Sequence, residues 1–213
     1  ASPRVRWRCW KAGLTGHARA EYMEKELGVP AGEVEGRMSK LYYEHGTTLA
    51  GLVHEGHAID FAHWHAAVHG TLEYTDFLGP DPALKEILER MPPERWVFTN
   101  ADAAHAEVCL GLLGIKDCFK GVICFESIMK QAEEKGVGVG SVVCKPQRLA
   151  FDLALEAAGC TDAGRAVFMD DSRRNIEAAS AAGIRTVFVG SSDKCPGADL
   201  AVTSLHELPG VAP

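Results

Sequence analysis

Two adjacent carboxylates, Asp170 and Asp171, follow directly on the apolar residues 166–169. Side by side they repel each other, a cost that is recovered when they hold a hard cation such as Mg²⁺. The plainer reading is a helix N-terminus, which favours acids and where Asp171 or Ser172 would cap. Two further polar groups stand at comparable places: Thr99-Asn100 after Trp96-Val97-Phe98, and Lys145 after Val142-Val143-Cys144. A hydroxyl, an ammonium and a dicarboxylate suit a phosphate held by a magnesium ion. The hydroxyl and backbone N–H groups would bond phosphoryl oxygens, the lysine would neutralise charge in the transition state, and the metal would bridge carboxylate and phosphate. Singly, each has a duller explanation: Thr99 as a helix cap, Lys145 as a surface cation before Pro146. Their joint occurrence in this order is more specific than any one of them.

The elements that would position these groups can be read from periodicity. Residues 166–169 are apolar on both faces and read as a buried strand. Ser172 then opens a helix carrying Ile176, Ala179 and Ala182, closed by Gly183. From Gly79 onward helix and strand signals alternate. Asp81-Pro82 starts a helix with Leu84, Ile87 and Leu88, and a strand at 96–98 precedes a helix with Ala104, Val108 and Leu112. Further strands are expected at 121–125, 184–189 and 198–202, with residues 130–141 a polar, glycine-rich loop. This alternation implies a parallel sheet with helices on both faces, whose ligands lie beyond the carboxyl ends of the strands.

Residues 14–78 differ, showing helical stripes and no strand pattern. One helix follows Thr15, with Ala18, Tyr22, Met23 and Leu27; a second carries Val34, Met38, Leu41 and Tyr42; Asp60 caps a third. Six of the nine histidines fall between His45 and His69. None forms an H-x-x-x-H pair with a neighbouring acid in a recognisable ligand pattern, so solvated helix faces are expected for His63, His65 and His69.

Composition narrows the function classes. At 213 residues, 46% hydrophobic and 24% charged, the chain suits one globular domain, or one domain with a smaller insert. A net charge of −7 without a basic face argues against nucleic-acid binding, and no apolar run approaches membrane-spanning length. Seven cysteines without a C-x-x-C pair give neither a zinc site nor a disulfide framework. Buried reduced thiols at Cys109, Cys124 and Cys144 are expected, which favours a reducing compartment: the cytoplasm, with an organelle left open.

The motifs resemble those of the haloacid dehalogenase superfamily of phosphohydrolases. Phe98-Thr99-Asn100 is similar to its second motif, Val143-Cys144-Lys145-Pro146 to its third, and the stretch from Phe168 through Asp170-Asp171-Ser172 to Asn175-Ile176 to its fourth. Tyr43-Glu44-His45-Gly46-Thr47-Thr48-Leu49-Ala50-Gly51-Leu52 resembles a stretch of the pyrimidine 5′-nucleotidase branch, its plant and fungal members above all. The resemblance covers about residues 13–207. It implies an α/β, Rossmannoid core at 79–213, a helical cap at 14–78 that selects substrate, and Mg²⁺-dependent hydrolysis of a small phosphorylated metabolite such as a nucleoside monophosphate. Within it, Thr99, Asn100 and Lys145 would bind phosphate. Asp171 would coordinate the metal directly and Asp170 through water, with Ser172 and Asn175 orienting both carboxylates.

One departure is serious. The family's D-x-D-x-T motif supplies a carboxylate nucleophile and a general acid from the first, central strand, just ahead of Gly13. This sequence has no Asp or Glu before Glu21, and ungapped alignment places Ser2 and Arg4 where the aspartates belong. Losing a covalent nucleophile costs orders of magnitude in rate, so no turnover by the family mechanism is expected. In the family's sheet the first strand lies between those ending at Thr99 and Asp170, and without it two unpaired edges would face each other. Residues 1–13 thus replace or lack that strand. A truncated enzyme, a non-catalytic relative whose residues 3–10 fill the gap, and a strand donated by another chain all stay open. A phosphate-binding or interaction subunit is the alternative function, with the basic, Trp-bearing residues 1–12 contacting a protein partner.

Overall fold

The computed structural model describes residues 15–92 and 94–210; the expected edge strand or tail at residues 1–12 lies outside them. Four helices come first: α1 (Thr15–Lys25), α2 (Ala31–His45), α3 (Thr48–His54) and α4 (Phe61–His69). Their starts follow local chemistry. Thr47 Oγ1 accepts the Ala50 N–H at 3.0 Å and Asp60 Oδ1 accepts the His63 N–H at 3.0 Å, satisfying donors that helix N-termini leave over. The short α3 is an element the sequence reading did not separate. Gly51 lets it lie against α2, because a Cβ there would fall 2.6 Å from Leu41 Cβ.

Tyr22, Met23, Val34, Leu41, Leu52, Trp64 and Val68 form the core of this helical part. Phe125, Val142 and Cys144 belong to the same cluster. The helical part therefore buries its apolar stripes partly against the α/β part and not only against itself.

The remainder alternates: α5 (Pro82–Arg90), β1 (Trp96–Phe98), α6 (Ala103–Leu113), β2 (Gly121–Ile123), α7 (Phe125–Glu134), α8 (Arg148–Ala157), β3 (Val167–Asp170), α9 (Arg173–Ala181), β4 (Arg185–Val189) and β5 (Leu200–Val202). All pairings are parallel, which makes this an α/β fold of the Rossmannoid kind. Asp81, at a Pro-started helix as read from sequence, accepts the Leu84 N–H at 2.9 Å.

Three expectations need correction. The loop expected at 130–141 begins later, because α7 runs to Glu134. Ser127 and Cys124 start that helix through a reciprocal cap, and Phe125, Ile128 and Ala132 bury one face of it. Residues 142–144 are buried but join no sheet among the described residues. Finally, β3 is not fully buried: Val167 is 46% exposed and its other residues are half-buried.

The strands form two separate sheets among the described residues. Among the described residues β1 pairs only with β2, and β3 only with β4, giving separate sheets of order β1-β2 and β3-β4-β5. The unpaired edges expected between the strands ending at Thr99 and Asp170 are thus seen among the described residues. Among the described residues, side chains join the two sheets. Phe98 on β1, Phe151 on α8 and Phe168 on β3 pack with ring centroids 5.3–6.2 Å apart, two of the three pairs edge to face. Each such pair adds about 0.5–1.5 kcal/mol beyond its buried area. No helix among the described residues is long and apolar enough to cross a membrane.

Candidate functional site

Asn100, just past β1, holds the loop before α8 in place. Its Nδ2 donates to Lys145 O and its Oδ1 accepts the Lys145 N–H, both at 2.9 Å. The Lys145–Pro146 peptide is cis. The Lys145 side chain lies between β1 and β3. Its Nζ donates to Phe98 O at 2.8 Å and to Asp170 Oδ2 at 2.9 Å, and it lies 4.9 Å and 5.2 Å from the Phe98 and Phe168 ring centroids. At 6% exposure this is a desolvated cation with a carboxylate, a carbonyl and two aromatic faces around it, not a surface lysine.

Asp170 is held from the other side as well. Its Oδ1 accepts the Ser172 N–H at 2.8 Å and Asn175 Nδ2 at 3.1 Å. Ser172 acts on it through its backbone and Asn175 through a buried amide. Asp171 is exposed. Thr99 is not a helix cap: its Oγ1 accepts the Ala101 N–H at 3.0 Å, and Asp102 begins α6. The fold brings Thr99, Asn100, Lys145, Asp170, Ser172 and Asn175 together; of these, all but Asp170 line a cleft of about 630 Å³ between the helical and α/β parts.

Sequence reading missed Arg19, which lines the same cleft. Its Nε donates to Thr15 O at 3.0 Å and its NH1 to Thr48 Oγ1 at 3.3 Å, and burial lowers its pKa. An arginine one position from Ala18 on the buried side of α1 was the available signal. A half-buried guanidinium facing a cleft can hold an anion.

The histidines depart most from expectation. His65 is buried, at 8% exposure, and His69 half-buried, so these two are not on a solvated helix face. They stand one turn apart on α4, and both turn toward Asp102 at the start of α6. His65 Nδ1 is 3.6 Å from Asp102 Oδ1, and His69 Nδ1 is in closer contact with the same oxygen. The His105 ring packs 4.4 Å from that of His69, and its Nδ1 is 2.8 Å from the Tyr74 hydroxyl. Burial drives the His65 imidazole down and that of His105 down to about 4, while it pushes Tyr74 up to about 12. Burial alone would raise the Asp102 carboxyl, but the hydrogen bond with His69 and the nearby imidazoles bring it below its ordinary value. The H-x-x-x-H spacing was present in the sequence; the acid that completes it lies 33 residues beyond His69.

The six cysteines among the described residues are all free, with Cys118, Cys124, Cys144 and Cys195 buried and Cys109 half-buried.

Comparison with known proteins accords with this geometry. A family model described as a haloacid dehalogenase-like hydrolase matches residues 13–183. Phosphate metabolism protein 8 of Saccharomyces cerevisiae is 28% identical over 172 residues, covering 78% of this chain and 51% of that protein. The chain thus spans about half the length of this curated relative. Among solved structures, L-2-haloacid dehalogenase from Xanthobacter autotrophicus matches with a TM-score of 0.53 at 17% identity, over 93% of this chain and 92% of that one. A HAD phosphatase from Thermococcus onnurineus matches with a TM-score of 0.52 at 18% identity, over 93% and 87%. One matched enzyme is named for carbon–halogen and the other for phosphate chemistry, so these two likenesses carry the fold and not the reaction. The extent of the family match decides the membership: the chain belongs to the haloacid dehalogenase-like hydrolases.

Proposed function

We propose that the chain is a phosphomonoester-binding member of this family, of the pyrimidine 5′-nucleotidase type, that holds phosphate without turning it over by the family's covalent mechanism. The observation that carries this reading is the buried Lys145 ammonium, bonded to Asp170 beside Thr99 and Asn100 at the strand ends. Phe98 O and Asp170 take two of its three N–H donors, and the third can serve a phosphoryl oxygen. Thr99 and Asn100 supply neutral polar groups at the same end of the cleft, and Arg19 a second cation from the cap.

Members of the family typically use Mg²⁺. The donor chemistry here suits that ion: Asp171 is an exposed carboxylate oxygen donor, and Mg²⁺ is commonly held by one or two carboxylates with several retained waters. Asp170, already engaged by Lys145, Ser172 and Asn175, would act by orienting rather than by direct coordination. When bound, the ion would draw phosphate and carboxylate together and offset their charges.

The step this reading leaves out is nucleophilic attack, because ungapped alignment places Ser2 and Arg4 at the positions of the family's two aspartates. The basic residues 1–12 remain our candidate for a protein contact.

Phosphate release from a panel of phosphomonoesters, with Mg²⁺ and with EDTA, tests the reading. This chain should release no more phosphate than its Asp171→Asn variant, yet inorganic phosphate should raise its melting temperature, and Lys145→Ala should abolish that rise. Ser2→Asp combined with Arg4→Asp should introduce magnesium-dependent turnover. Magnesium-dependent turnover by the unaltered chain would refute the non-catalytic reading; no phosphate response at all would refute phosphate binding.

A further inference from the structure

We propose that His65, His69 and Asp102 hold a divalent transition-metal ion, zinc by ligand chemistry, that ties α4 to the start of α6. The site is separate from the Asp170–Asp171 pair and does not depend on the phosphate reading.

Three observations converge. First, the three residues each place one ligand atom within 4.8 Å of the others. Two imidazoles and a carboxylate are the donor set that zinc takes in three-ligand sites, leaving a fourth position open, whereas Mg²⁺ prefers oxygen alone. Second, His65 is 8% exposed and neither of its ring nitrogens has a hydrogen-bond partner. A buried imidazole with no partner is rare in a folded protein and asks for an explanation. Its Nδ1 points to within 3.6 Å of Asp102 Oδ1. Third, all three residues line a cleft of about 1280 Å³, so an ion has a way in and a fourth ligand has room.

The spacing is close to what an ion needs. With zinc–ligand bonds of about 2.0–2.1 Å, neighbouring donors in a tetrahedron sit roughly 3.3–3.4 Å apart. The His65–Asp102 separation, 3.6 Å, is only slightly wider. The His69–Asp102 contact is tighter and must lengthen, the ion displacing the proton the two share and that proton leaving to solvent. Asp102 is anchored for the task, since its Oδ2 accepts the His105 N–H at 3.4 Å. His65 and His69 stand one turn apart on the same helix face, so side-chain rotation alone can bring both to one ion.

The experiment is titration of the chelator-treated full chain with Co²⁺, followed by its visible absorption, then displacement by Zn²⁺. One tetrahedral Co²⁺ per chain is expected, displaced by Zn²⁺ and not by excess Mg²⁺. Binding should weaken by about 100-fold or more in His65→Leu and in Asp102→Asn, the latter keeping an oxygen to cap α6. Circular dichroism should show both variants folded. Uptake unchanged in the variants, no uptake, or a thiolate charge-transfer band marking a cysteine site would each overturn the proposal. Should a variant not fold, histidine modification of the unaltered chain decides: Zn²⁺ should protect His65 and His69, and equal modification with and without Zn²⁺ refutes the site.

Discussion

Two charged clusters lie between the helical and the α/β parts, and they are built in opposite ways. Around Lys145 and Asp170 the polar atoms have close partners: the ammonium has a carbonyl and a carboxylate, and Asp170 Oδ1 has a backbone N–H and an amide. Around His65 the ring nitrogens have none. The first cluster stabilises the chain as it stands, bridging two sheets that share no hydrogen-bonded edge among the described residues. The second leaves an imidazole desolvated and unsatisfied, which folding alone does not favour. A satisfied buried network specifies structure; an unsatisfied one is where a ligand is expected.

The largest test of this contrast is Lys145→Met. It removes the cation bonded to Asp170, whose side chain is 7% exposed. Breaking a buried pair from one side costs about 3–5 kcal/mol, and urea unfolding should show a loss of that size. Adding Asp170→Leu should restore much of it, because replacing both members of a buried pair by apolar side chains costs little. A single substitution costing no more than about 1 kcal/mol would mean that the pair behaves as a surface bridge and that the two clusters do not differ as argued.

What could be read from sequence was what neighbours in sequence decide. The strand at 96–98 and the caps Asp60 and Asp81 were legible because their signals span three or four residues. The helix α7 was missed because polar Lys130, Gln131, Glu133 and Glu134 hide a buried stripe at Phe125, Ile128 and Ala132. The polar positions at the strand ends were legible too, but the way Lys145 inserts between Phe98 and Asp170 was not. It depends on two sheets meeting, and no local pattern records that. The histidine site fails for the same reason: its two imidazoles share a helix turn while its carboxylate belongs to another element. Burial on β3 was overestimated because apolar composition alone cannot say what packs over each face of a strand.

Gly46→Ala sharpens the comparison at intermediate size. Gly46 ends α2 at φ +92°, and a Cβ there would come within 2.5 Å of Lys145 O and 2.7 Å of Pro146 Cδ. Backbone strain at positive φ and overpacking against the lysine loop each cost about 1–3 kcal/mol. The substitution should lower stability by roughly 2–4 kcal/mol, the lower part of the summed range because the loop can yield. It should also weaken phosphate binding, since it pushes the Lys145 loop, while leaving Co²⁺ binding at His65 and His69 intact. Equal loss of both would show that the two clusters move as one body.

The smallest expected effect has the opposite sign. His65→Leu replaces a buried ring with two unsatisfied nitrogens by an apolar side chain of similar size, against Phe125 at 4.6 Å between ring centroids. Removing an unmet polar group from an apolar site is neutral to stabilising by about 1 kcal/mol, offset in part by the poorer fit of a branched side chain. In chelator the variant should therefore melt at or slightly above the unaltered chain. With Zn²⁺ the order should reverse, because only the unaltered chain gains the binding free energy of an ion that prefers the folded state. That crossing is the signature of a site kept for its ligand at the expense of stability. If His65→Leu is instead strongly destabilising in chelator, His65 is a packing residue whose polar atoms cost little, and the distinction between the two clusters fails at its weaker end.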